Sequence, residues 1–197
     1  MVAPFHYTRS QIEKLGNAII YLSSNIPDLN KTKLLKLLYL IEEISIKKYG
    51  FPFFNIRFDV WKLGPVSKDV YLELSDTPDL LHMFIEVGKT TDTTFIRHKK
   101  NFNDDEFSDN DMGILAYIVT HFKNASANYL VSLTHQKHSA WHQTAVRYGL
   151  LEYFDAGRLT TTDIEIDFTT LFNDDDSKKA FYLENKAIFS FRDLLKA

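Results

Sequence analysis

The chain contains no cysteine. This absence excludes disulfide bonds, thiolate metal sites and a cysteine nucleophile, and it is typical of a protein that works in the reducing cytoplasm. Glycine and proline are also scarce, with seven and five residues among 197, and no segment rich in glycine or serine divides the chain. We therefore expect one cytoplasmic domain, residues 1–197.

Long apolar runs and an excess of positive charge are missing as well. No apolar stretch approaches the roughly 18 residues of a membrane-spanning helix, and the N-terminal segment MVAPFHYTRSQ lacks the basic start and apolar run of a signal peptide. The formal net charge is -3, so the chain has no overall basic field that would concentrate it on nucleic acid or anionic lipid. We expect neither a membrane nor a nucleic-acid partner.

Aromatic residues, by contrast, are abundant. Sixteen Phe, ten Tyr and two Trp make the chain 14% aromatic. Such a chain is expected to have an aromatic core, with rings left over for a partner surface.

The spacing of apolar residues predicts a mainly helical protein. Asn30 can cap a helix over residues 31–49 whose apolar positions extend almost around its axis, and Gly50 can end it. We expect a bundle around this buried central helix. Capping residues and apolar stripes predict further helices: one beginning near Thr8 or Ser10, one with Val66, Val70 and Leu74, one capped by Ser108 with Asp111, one capped by Ser126, one with Trp141 and closed by Gly149, and a last one after the acidic run Asp174–Asp176 with a stripe from Phe181 to Leu195.

Two segments have the alternating pattern of strands. Apolar and polar residues alternate within residues 54–62, and Gly64-Pro65 ends that strand. Two short apolar runs within residues 84–100 flank the polar segment GKTTDT and predict a hairpin beside it. The fold class is therefore α+β, predominantly helical, with a small antiparallel sheet.

The C-terminal part, residues 151–197, is expected to be a helical extension. Residues 161–172 within it fit either a strand or a helix, and the helix is favoured. The final helix can pack on its own domain, which we favour, or lie in a groove of a partner.

Three histidines raise the question of a metal site. His135, His138 and His142 have spacings of three and four, which would place three imidazoles on one side of a continuous helix and allow a metal-dependent hydrolase. The residues between them can equally form a loop, and no Asp or Glu stands nearby to orient them. The sequence also lacks a nucleophile-elbow glycine pattern and a phosphate-binding glycine loop. We expect no catalytic residues, no metal and no cofactor.

Two short basic clusters could contact phosphates. They are interpreted as solvated faces, or as faces for an acidic protein partner, because the chain is acidic overall. Their members are Lys31, Lys33 and Lys36 in the first cluster and Arg97, His98, Lys99 and Lys100 in the second.

One block of sequence is distinctive as a string: NKTKLLKLLYLIEEISIKKYGFPFFNIRFDVWKLGPVSKDVY, residues 30–71. It resembles the Panacea domain, also called the SocA-like antitoxin or phage-associated protein family. The resemblance covers residues 8–150 and rests on Lys36, Leu37, Leu38 and Tyr39, then Gly50 and Pro52, then Trp61, Gly64, Pro65, Val66 and Tyr71, and finally Leu133, Thr134, His135 and Trp141.

The resemblance implies structural roles for several of these residues. His135 would be hydrogen-bonded near a helix end, Gly64-Pro65 would form the turn that directs the strand into the next helix, and Trp61 would be a core ring whose N–H needs a partner. Whether any motif residue also contacts a partner stays open.

The resemblance also implies a function. Proteins of this kind are antitoxins that bind a co-encoded protein toxin and block it stoichiometrically, without catalysis. The alternative is an adaptor that delivers a client protein to a protease.

Overall fold

The computed structural model describes residues 7–172 and 175–196, and the side chains among them as far as Phe191. Some expectations fall outside these residues. The segment expected to lack a signal peptide includes residues 1–6, and the acidic run before the final helix includes Asp174. The apolar stripe of that helix includes Leu194 and Leu195, whose side chains are likewise outside the description.

Helices dominate the described part of the chain, which confirms the predicted fold class. None of these helices combines the length and the hydropathy needed to cross a membrane. In chain order the elements are α1 (Arg9–Asn25), α2 (Lys31–Tyr49), β1 (Asp59–Trp61), β2 (Gly64–Val66), α3 (Lys68–Glu73), β3 (Ile85–Lys89), β4 (Thr94–His98), α4 (Asp109–Phe122), α5 (Ala127–Thr134), α6 (Ala140–Arg147), α7 (Leu150–Asp155), a 3-10 helix (Phe168–Phe172) and α8 (Asp176–Lys196).

Capping side chains set the ends of the main helices where the sequence predicts them. At the start of α1, the Thr8 hydroxyl accepts the Gln11 N–H at 3.2 Å, while the Gln11 side chain accepts the Thr8 N–H at 2.9 Å. Ser108 opens α4 with the same reciprocal arrangement, and Asn30 caps α2. Gly50 ends α2 with a φ of 71°, a conformation that glycine adopts without steric cost.

Helix α2 lies at the centre of the fold, as predicted. It contacts α3, α4, α5, β2, β4 and the 3-10 helix. Because its apolar positions extend around most of the axis, polar residues of α2 are buried along with them. The buried apolar residues are Leu34, Leu35, Leu37, Leu38, Tyr39, Leu40, Ile41 and Ile46, and the buried polar ones are Lys33, Lys36, Glu42 and Ser45.

The strands form two separate two-stranded antiparallel sheets, where the sequence predicted one. Residues Gly64–Val66, expected to be a turn and a helix start, instead return as β2 on β1, so that Trp61 faces Gly64 across the ladder. The other edge of this strand segment is occupied by the C-terminal part of the chain, since the Val60 N–H donates to the carbonyl of Ile164 at 2.9 Å. The β3–β4 hairpin therefore packs elsewhere, against α1.

Residues 161–172 correct the favoured helical interpretation. Residues 161–167 are extended, and the Ile166 N–H donates to the carbonyl of Phe58 at 2.8 Å. Only Phe168–Phe172 are helical, as a 3-10 turn. The alternation of apolar residues, which predicts a strand, described this segment better than the helical spacing, because one face of the extended segment covers the core.

Helix α8 packs against its own chain, the arrangement favoured from the sequence. Tyr182 is buried beside the ring of Phe172, and the Asn185 side chain donates to the carbonyl of Gly50 at 3.3 Å. The ring of Phe181 meets the edge of Phe51, with centroids 5.4 Å apart. The helix thus closes over the C-terminal end of α2.

Candidate functional site

Most of the residues that carry the family resemblance meet around the β1–β2 hairpin, whereas Gly50 lies at the end of α2 beside α8. Its two-residue turn, Lys62–Leu63, connects Trp61 to Gly64. Side chains from α2, α5 and α6 surround the hairpin, although they are far apart in sequence. We call this assembly of hairpin and supporting side chains the motif centre.

Three side chains of the motif centre point at main-chain carbonyls of the hairpin. The Lys36 ammonium nitrogen donates to the Pro65 oxygen at 2.9 Å, and the Trp141 indole N–H donates to the Trp61 oxygen at 3.1 Å. The His135 Nε2 lies 3.1 Å from the Lys62 oxygen. Polar side chains from α2, from α6 and from the residue that follows α5 therefore fix the path of the hairpin backbone.

Each ring nitrogen of His135 lies beside a main-chain carbonyl oxygen. Its Nδ1 lies 2.6 Å from the Val131 carbonyl oxygen, opposite the contact of Nε2 with Lys62. The ring also packs against Trp141, with centroids 3.9 Å apart. The expected hydrogen bonding of His135 near a helix end is confirmed.

Gly64 lets the hairpin approach the helices closely. Its φ is 96°, and a Cβ at this position would lie 2.8 Å from the Thr134 hydroxyl oxygen, 3.1 Å from a ring carbon of His135 and 3.2 Å from Lys36 Cε. Both the backbone conformation and the lack of space require glycine here. Thr134 itself is fully buried and donates to the Val131 carbonyl at 2.9 Å.

Tyr39 joins the motif centre to the core. Its hydroxyl oxygen accepts the Trp141 backbone N–H at 3.2 Å, and its ring meets Phe58 and Phe168 at centroid distances of 5.6 and 5.8 Å. Complete burial raises the pKa of Tyr39 well above its ordinary value. The neighbouring motif residues are packing groups, because Leu37, Leu38 and Val66 are all buried.

Lys36 is the least ordinary residue of the motif centre. Only 2% of it is exposed, and burial lowers its pKa to about 7. A neutral amine still donates, so the hydrogen bond to Pro65 does not require the charged form.

The outer side of the motif centre is formed by Trp61 and Tyr71, whose ring centroids are 5.1 Å apart. The Trp61 indole N–H donates to the Thr162 carbonyl at 3.1 Å, which supplies the expected partner for that donor. The ring is half-buried and is not part of the hydrophobic core, which corrects the expectation of a core ring. The Lys31 ammonium lies 3.3 Å from the Tyr71 ring centroid, a cation–π contact.

The first lysine cluster is not a solvated basic face, which corrects the sequence interpretation. Lys36 is buried, Lys33 donates to the carbonyl of Lys123 at 2.7 Å, and Lys31 lies over Tyr71. In the second cluster, Lys99 donates to the carbonyl of His82 at 2.9 Å. Lys100 lies 3.7 Å from a carboxylate oxygen of Glu13.

The histidine spacing does not build the helical metal site considered above. Helix α5 ends at Thr134 and α6 begins at Ala140, so His135, His138 and His142 are not in register on one helix. Across residues 7–172 and 175–191, no group of three His, Asp or Glu side chains is arranged to hold a metal ion. The continuous helix that the hydrolase hypothesis assumed for these three histidines is therefore not formed.

Two features of this region escaped the sequence analysis. Residues 160–166 line one side of the hairpin, and nothing in the local pattern indicated that contact. The buried Glu42 accepts the N–H groups of Phe53 and Phe54 at 3.2 and 2.7 Å, and burial raises its pKa to about 7. The burial of Glu42 could have been predicted from the sequence, because it places a carboxylate on a helix predicted to be apolar almost all round.

A comparison with protein-family models gives a match to the antitoxin SocA-like, Panacea domain over residues 34–142. Searches of curated proteins and of solved structures found no match to the chain. The matched segment runs from α2 to the first turn of α6, contains every residue of the motif centre from Lys36 to Trp141, and spans more than half of the sequence. The chain belongs to the SocA-like Panacea antitoxin-domain family.

Proposed function

We propose that the protein is a bacterial, cytoplasmic antitoxin that binds a co-encoded protein toxin and neutralises it stoichiometrically. The family match over residues 34–142 carries this proposal. The proposal treats residues 1–197 as one binding domain, because the hydrophobic core includes residues from α1 through Tyr182 in α8.

The chemistry of the motif centre supports a binding role. Its potential acid–base groups are engaged with main-chain atoms, since Lys36 and His135 face carbonyl oxygens. Nearby on α2, the Glu43 side chain accepts the Ala140 N–H at 3.0 Å. A general base needs reach to a substrate proton. Here the polar groups position backbone instead, which is the task of a scaffold that presents a surface.

The surface offers material for a protein interface. Aromatic residues and methionine are enriched in such interfaces, and several large apolar side chains of the described residues are exposed. They are Phe51, Leu63, Leu72, Met83, Tyr117, Tyr129, Val146, Tyr148, Tyr153, Phe181, Leu183, Ile188 and Phe191.

Co-expression with the product of the adjacent gene tests the proposal. That product alone should arrest growth, and this chain should restore growth and co-purify with it. An inactive toxin variant that still folds serves as the control for expression load. A toxic neighbour that is neither rescued nor bound would contradict the proposal.

The same experiment separates the adaptor alternative. An antitoxin that blocks its toxin leaves the toxin protein intact in the cell. If the toxin protein disappears only when both this chain and a cellular protease are present, the chain is an adaptor. Comparing toxin levels in protease-deficient and wild-type cells distinguishes the two.

A further inference from the structure

The tip of the β1–β2 hairpin presents an apolar side chain to solvent. Leu63 is 68% exposed, more than any other large hydrophobic residue described. It belongs neither to the hydrophobic core nor to the partly buried side chains packed against it. The fold therefore holds Leu63 in place without using its side chain.

The backbone on both sides of Leu63 is firmly held. Trp141, His135 and Lys36 contact the carbonyls of Trp61, Lys62 and Pro65, as described above. On the opposite side, the Lys62 N–H donates to the Thr160 carbonyl at 2.9 Å. A partner that binds this tip pays little entropy for ordering it, which favours affinity.

The segments that contact the tip carry basic residues. The turn contacts two loops, residues 135–138 through His135 and residues 158–162 through Thr160. These three segments carry Lys62, Lys137 and Arg158 and contain no Asp or Glu, in a chain whose net charge is -3. The next carboxylate along the chain, Asp163, lies 3.2 Å from the Lys68 ammonium.

We propose that Leu63 is the specificity-determining anchor of this protein, inserting into an apolar pocket of the toxin that is rimmed by carboxylates. The inference rests on the proposed antitoxin function. A convex aliphatic side chain fits a concave apolar site. Lys62 in the turn, with Lys137 and Arg158 on the two loops that contact it, favours an acidic surround. The motif centre then acts by positioning the anchor.

Binding of purified variants to the purified product of the adjacent gene, measured by calorimetry at two salt concentrations, tests this inference. Leu63→Asp should weaken binding by about 100-fold, the range of an interface hot spot. Met83→Asp is the matched control, because Met83 is 61% exposed on the segment before β3, and it should change binding by less than about 3-fold. Both variants should keep the wild-type melting temperature, since neither side chain belongs to the core.

Charge reversal tests the rim. Lys62→Glu combined with Lys137→Glu should lower the association rate by about 10-fold at low salt and less at high salt. If the wild type binds the toxin and the Leu63→Asp variant binds it equally well, the anchor is overturned and the antitoxin function stands. A wild-type chain that does not bind the toxin would overturn the proposed function and the anchor with it. Binding to a single-stranded RNA that is lost on charge reversal would overturn the assignment of a protein partner.

Discussion

Replacing Lys36 with methionine gives a sharp test of the motif centre. The lysine is buried, and burial lowers its pKa to about 7 from an ordinary value of 10.5. Methionine has a similar length and no titratable group, so it removes both the proton equilibrium and the donor to Pro65. The test measures how the free energy of unfolding changes with pH, because this change reports the titration of Lys36 separately from the cost of the hydrogen bond to Pro65 that the variant loses.

The sign follows from proton binding in the two states. The unfolded chain keeps the Lys36 proton up to a pH near 10.5, whereas the folded chain releases it above about 7. Between these values the unfolded state binds more protons, so the free energy of unfolding rises with pH by up to about 1.4 kcal/mol per pH unit. Curvature near the folded pKa reduces the total gain between pH 7 and pH 9 to about 2 kcal/mol.

Urea unfolding of the wild type and of Lys36→Met between pH 6 and pH 9 measures this gain. Subtracting the two curves removes contributions from groups common to both proteins. The difference should change little between pH 6 and pH 7 and then move by about 2 kcal/mol in favour of the wild type by pH 9. Lys47→Met, which removes an exposed lysine from the same helix, is the matched control. Parallel curves for wild type and Lys36→Met would refute the reasoning.

Three further predictions concern other parts of the fold. Gly64→Ala should lower the free energy of unfolding, measured in urea, by about 2–3 kcal/mol. The new methyl group would collide with Thr134, and the backbone φ of 96° is unfavourable for alanine. The control Gly113→Ala, which has open space around it in α4, should not destabilise the protein. Glu42→Gln should remove a loss of about 2 kcal/mol that the wild type shows between pH 5 and pH 7. A carboxyl whose pKa is raised to about 7 costs stability as it ionises in the fold, so identical pH profiles of the two proteins would contradict this prediction. Tyr182→Ala should speed hydrogen exchange in α8 and leave α2 protected, since the 3%-exposed ring docks α8 beside Phe172. Equal loss of protection in both helices would contradict this prediction.

Local chemistry explains what the sequence could predict. The starts of α1, α2 and α4 follow from side chains at Thr8, Asn30 and Ser108 that bond within three residues, and the end of α2 follows from one glycine. The central position of α2 follows from apolar residues on most of its sides. Each of these signals is contained in a short stretch of chain.

Long-range contacts explain what the sequence could not predict. The pairing of Phe58 and Val60 with Ile166 and Ile164 crosses about a hundred residues, and no local pattern encodes it. The direction of Lys33 also depends on a distant group, the carbonyl of Lys123.

The motif centre has features that the sequence could predict and features that it could not. Its residues could be named from the family resemblance, but three hydrogen bonds to hairpin carbonyls join segments up to 80 residues apart. Lys36 could have been recognised as buried, because a helix predicted to be apolar almost all round leaves few positions facing solvent. The exposed Leu63 at the tip is set by the hairpin register, which the sequence pattern did not give.

Titration of the purified toxin, the product of the adjacent gene, with this protein tests the central claim most directly. The toxin's activity should fall linearly and reach its minimum at a fixed molar ratio, with a complex of that stoichiometry on a sizing column. Full inactivation by a small fraction of an equivalent, or undiminished activity with excess protein and no complex, would contradict an antitoxin that acts by stoichiometric binding.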